Sequence, residues 1–73
     1  MREHIKVGSL VNVQQDALCI AKSYHAFILD ESCMGIVVAR KRIQGERVFA
    51  YIVFVNEFNC MRTYGEYIDV IQE

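Results

Sequence analysis

Cys19, Cys33, Cys60, His4 and His25 are the side chains of this chain best suited to metal binding or nucleophilic attack. They are numerous enough to hold a zinc ion. No two of them stand at zinc-finger spacing, however, and no C-x-x-C pair occurs. Scattered buried thiols and surface imidazoles are the simpler reading, and no metal is expected. A cysteine nucleophile needs a base beside it. Cys33 or Cys60 with His25 would provide one, yet nothing in the flanking residues activates either thiol. Asp30 and Glu31 fall in a polar break and read as solvated carboxylates. Phosphate-cradling glycine loops, dinucleotide fingerprints and the H-E-x-x-H pattern are absent from the sequence. The chain is therefore read as non-enzymatic, with no catalytic residue and no cofactor.

Residues suited to binding are better represented. Arg40, Lys41, Arg42 and Arg47, set against Glu46, form a basic hairpin able to neutralise phosphates. The same charges also suit a solvated turn that protects strand edges. The net charge of −1 lacks the basic excess of a dedicated nucleic-acid binder, so nucleic acid is the alternative and not the leading partner. Tyr24, Tyr51, Tyr64 and Tyr67 are rigid amphipathic anchors suited to a peptide groove. Each is also easily a core residue whose hydroxyl reaches water or backbone. Tyr64 and Tyr67 stand three apart, a spacing that would turn both toward one loop. Tyr24, Phe27, Phe49, Tyr51, Tyr64 and Tyr67 are the expected contacts for a protein partner. Capture of a nucleotide or other small ligand at a subunit interface ranks last, because no glycine loop supports it.

These groups must be positioned by strands. The run Val48-Phe49-Ala50-Tyr51-Ile52-Val53-Phe54-Val55 is rich in β-branched and aromatic residues and too short to cross a membrane. Its alternation places Val48, Ala50, Ile52 and Phe54 on one face and Phe49, Tyr51, Val53 and Val55 on the other. Both faces are apolar. One small core covers one of them, so the other calls for a long loop or a second chain, and a homo-oligomer is expected.

Further strands are predicted over residues 7–13, from Met34 through Ile43, over 60–62 and over 68–71. Gln44 and Gly45 supply the turn before the long run. Residues 14–34 form a long excursion. Asp16 suits the cap of a short helix over 17–22, whereas residues 24–29 read as extended, and the segment stays open between helix and strand. Residues 63–67 read as one helical turn. The fold class that follows is all-β: a small SH3-like barrel of about five antiparallel strands, with a long, part-helical first loop and a one-turn helix before the last strand.

Val7-Gly8-Ser9-Leu10-Val11, Met34-Gly35-Ile36-Val37-Val38, Tyr51-Ile52-Val53-Phe54-Val55 and Tyr67-Ile68-Asp69-Val70-Ile71 resemble the marker stretches of small SH3-like proteins common in tailed-phage genomes. The resemblance spans most of the chain and departs from the pattern in the longer, more apolar 14–34 segment. It implies a fold and a phage or mobile-element origin. It carries over no catalytic residue, because this fold hosts many functions.

The 73 residues make one domain, with about half of them apolar. An odd number of cysteines excludes a complete disulfide framework and points to reduced thiols in the cytoplasm. The charged start Met1–Lys6 does not resemble a secretory signal, and no membrane association is expected. The reading that results is a small interaction module that docks on a protein partner.

Overall fold

The apolar run at the centre of the sequence becomes a strand at the centre of the sheet. A computed structural model of the chain describes residues 5–42, 49–56 and 59–73. Among them lie seven strands: β1 (Leu10–Val13), β2 (Leu18–Ala21), β3 (Ala26–Ile28), β4 (Cys33–Arg42), β5 (Phe49–Asn56), β6 (Asn59–Tyr64) and β7 (Ile68–Gln72). A 3-10 turn, Gly65–Tyr67, leads into β7. All strands join one antiparallel sheet in the order β3-β2-β6-β5-β4-β1-β7. The protein is thus all-β, as the strand-forming composition requires.

The sheet cannot be flat. In this order β1 and β2 would stand four strand spacings apart, about 19 Å. Only residues 14–17 connect them, and Ala17 N–H donates back to the Gln14 carbonyl at 3.2 Å within that link. The sheet therefore curls, which brings β1 and β2 toward each other. Register shifts at Val37/Ala39 in β4, at Phe54/Asn56 in β5, and between Leu10 and Val11 of β1, where Ile71 of β7 is the extra residue, add local bend.

Inside the curl, Val11, Val13, Cys19, Val37, Tyr51, Val53, Met61 and Ile68 form the core, with Ile5 and Ala17 closing against it. Alternation along the strands sets this choice. In β5 the inward residues are Tyr51, Val53 and Val55, and in β4 they are Cys33, Gly35 and Val37. Thr63 on β6 donates from Oγ1 to the Leu18 carbonyl at 3.0 Å, tying β2 to the body of the sheet.

Three elements differ from the sequence-based expectation. The excursion 14–34 carries a β-hairpin, β2 and β3, and not a helical turn, which raises the strand count above five. Asp16 has φ 69, a turn conformation incompatible with helix capping. Leu18–Ala21 finds strand partners on both sides, β3 and β6, and that pairing outweighs a weak helical pattern. The first strand begins at Leu10 and not at Val7. Gly8 at φ 97 and a Ser9 N–H to Lys6 carbonyl bond of 3.1 Å turn the chain just before it. Thr63 and Tyr64 belong to β6, so the turn starts only at Gly65. The expected turn at Gln44 and Gly45 lies outside the described residues.

Ser9 is buried, yet its Oγ has no hydrogen-bond partner among the described residues. An unpaired buried hydroxyl carries a desolvation cost that a methyl group does not. Ser9→Ala is therefore expected to raise stability by about 1 kcal/mol, read as a higher urea midpoint at unchanged slope. A lowered midpoint would mean that the hydroxyl has a partner.

Candidate functional site

The curled sheet gives the molecule two distinct surfaces: an outer face and the mouth of the inner face. On the outer face, register places Leu10, Ile36 and Phe54 side by side across β1, β4 and β5. Met34 flanks this row opposite Asn12, and Val38 sits at the β4 bulge. These side chains are apolar and open to water. Met34 is 58% exposed, Val38 47%, Phe54 42% and Ile36 37%. The surplus apolar face expected of the central strand is therefore the one carrying Phe54. The contribution of Met34, Ile36 and Val38 was not anticipated. Their strict alternation with the buried Gly35 and Val37 was the available signal.

The aromatic residues expected to contact a partner do not assemble into one groove. Tyr51 is a correction: it is 2% exposed, and its hydroxyl accepts the Ile5 backbone N–H at 2.9 Å. Its ring fills the centre of the core, so it is not a surface contact. Tyr64 and Tyr67 do not share a face. Tyr64 is still extended, at φ −91 and ψ 151, and pairs with Ala50. Tyr67, one 3-10 turn later, packs against the core. Helical spacing does not apply where the first residue of the pair is strand. Phe27, opposite Cys19, also packs half-buried against the core. Tyr24 stands at the tip of the β2–β3 hairpin, 74% exposed and at φ 65. The Arg62 guanidinium lies 5.2 Å from the centre of its ring. Phe49 pairs by backbone with Arg42.

Arg40, Lys41 and Arg42 occupy the exposed end of β4. Strand alternation sends Lys41 to the face opposite that of Arg40 and Arg42, so consecutive basic residues do not make one cluster. Arg47 lies outside the described residues.

On the inner side, Ala21, Lys22, Ser23, Phe27, Leu29, Cys33, Val55, Cys60 and Met61 surround an open cleft of about 510 Å³. It lies between the β2–β3 hairpin and the ends of β5 and β6.

The three cysteines are free thiols. Burial pushes the Cys19 thiol up, a hydrogen bond with Thr63 pulls it back and Cys33 raises it further. Burial likewise raises Cys33. Both shifts disfavour the thiolate, the form a nucleophile needs. Among the described residues, no group of three or more His, Cys, Asp and Glu is placed to hold a metal ion. His4 lies outside them. No helix among the described residues is long and apolar enough to cross a membrane. No protein-family model, curated protein or solved structure matches this chain.

Proposed function

We propose that this chain is a non-enzymatic interaction module with an SH3-like barrel fold, which docks on protein through the outer face of β4 and β5. The strand order supports the fold reading. Read without the inserted hairpin it is β7-β1-β4-β5-β6, a five-strand meander closed by the last strand beside the first, with a 3-10 turn before that last strand. Residues 14–32 then serve as the long first connection. A phage-encoded origin remains part of this proposal on the resemblance alone.

The observation that carries the docking proposal is the exposed apolar row of Met34, Ile36, Val38 and Phe54 at the middle of the sheet. An apolar patch on central strands is costly to leave wet and is a common mark of an interaction site. Nucleic-acid binding has less support, because the basic residues of β4 divide between two faces.

A second copy is the first partner to consider, since a net charge of −1 offers little repulsion between copies. The four half-exposed side chains would contribute about 1 kcal/mol each on burial. Association costs about 4 kcal/mol or more before any surplus appears. Leu10 and Ile52 must therefore join the contact, and the assembly is weak and reversible. Sedimentation velocity between about 10 and 500 μM, a range suited to weak association, is expected to show a mass rising above 8.5 kDa for the wild type. The double variant Ile36→Lys with Phe54→Lys should remain monomeric with an unchanged far-UV circular dichroism spectrum. A wild type that stays monomeric throughout would eliminate self-docking.

A further inference from the structure

The inner side of the sheet is packed around Tyr51, Val53 and Val11 but open at the other end. There Phe27, Leu29, Cys33, Val55 and Met61 surround the cleft of about 510 Å³. Four of these five side chains are only half-buried, although all belong to the inward-facing set. The volume falls within the usual range of small-ligand sites, and barrel mouths are a common place for them. Apolar walls facing a gap lack contacts on one side, so an apolar occupant gains them.

The lip of the cleft is different. Lys22 and Ser23, exposed just after β2, are among the residues around it and carry one ammonium and one hydroxyl. Among the described lining residues, Lys22 is the one charged residue and none is a carboxylate. An apolar interior with a single cation at the rim suits an amphiphile with a singly charged anionic head. One ammonium and one hydroxyl match the two oxygens of a carboxylate better than the higher charge of a phosphate monoester.

We propose that the barrel mouth binds an aliphatic monocarboxylate of the medium-chain fatty-acid class. The hydrocarbon chain packs against Phe27, Leu29, Val55 and Met61, and the carboxylate meets Lys22 and Ser23. This site lies on the opposite side of the sheet from Ile36 and Phe54 and stands or falls separately from docking through the outer face.

The test is a titration of the isotope-labelled full chain, followed by two-dimensional NMR, with decanoate and with decyltrimethylammonium, which pairs the same tail with the opposite charge. Decanoate is expected to give saturable shifts centred on Phe27, Leu29, Val55 and Met61. Decyltrimethylammonium should bind more weakly. Lys22→Glu should weaken decanoate by about five-fold or more at low salt and lose that effect as salt screens the charge. Val55→Phe, which fills the cleft, should abolish the shifts. Should Val55→Phe fail to fold, the exposed Lys22→Glu still decides. Absence of saturable shifts, shifts confined to Ile36 and Phe54, equal binding of the two amphiphiles, or an unaffected Lys22→Glu variant would each overturn the proposal.

Discussion

Gly35→Ala is expected to lower the unfolding free energy by about 3 kcal/mol, the upper end of overpacking costs. A Cβ built on Gly35 would lie 2.6 Å from Val53 Cγ1 and 2.7 Å from the Phe54 carbonyl oxygen. The second contact is backbone of the neighbouring strand and has no rotamer into which to retreat. Nor is the strand free to move away, because Gly35 pairs with Val11 on its other side. A domain of this size is stable by about 4–11 kcal/mol, so the loss removes a large share. Urea unfolding followed by circular dichroism measures it. Two other glycines give the comparison. A Cβ at Gly65 would meet the Tyr51 ring at 3.2 Å, a longer contact and one with a side chain instead of backbone. Gly8 at φ 97 has no atom within 4 Å of the added carbon and is limited only by backbone strain, about 1–2 kcal/mol. Gly35 should therefore be the least tolerant of the three. A loss at Gly35 below that at Gly8 would contradict the close β4–β5 approach.

Tyr51 carries the second large effect. Truncation to alanine removes the ring from the middle of the core and is expected to cost about 3–5 kcal/mol. Tyr51→Phe keeps the ring and removes the hydroxyl. It leaves the buried Ile5 N–H without its acceptor, at a cost of about 1–3 kcal/mol. For a domain of this length each kcal/mol lowers the melting temperature by about 4–8 °C. Tyr51→Phe should thus melt roughly 10 °C below the wild type, and the Ile5 amide should exchange with solvent faster than in the parent. A phenylalanine variant with an unchanged melting temperature would show that the hydroxyl does not anchor the segment before β1.

The two predictions mark where local sequence was informative and where it was not. The run from Phe49 to Val55 declared its strand, its two faces and its surplus of apolar surface, because alternation and β-branching act residue by residue. The terminal strand, the turn before it and the strand from Met34 onward were legible for the same reason. The close approach at Gly35 was not, since it depends on Val53 and Phe54, which are distant in sequence. The 14–34 segment was legible only in its extended part, where β3 forms; the strand over Leu18–Ala21 was not. Its residues have no strong local preference, and β2 forms because β6 offers an edge to pair with.

The candidate sites divide along the same line. An apolar excess on the central strand follows from composition and periodicity alone. Which face is hidden depends on the curl of the sheet, and the curl is imposed by the short link between β1 and β2. That curl draws Tyr51 into the core and leaves Phe27 and Cys33 around an open mouth. Side-chain type and spacing are local properties of a chain. Burial is set by what other segments arrive nearby, and in a sheet built largely from long-range pairings those arrivals are written in no single stretch of residues.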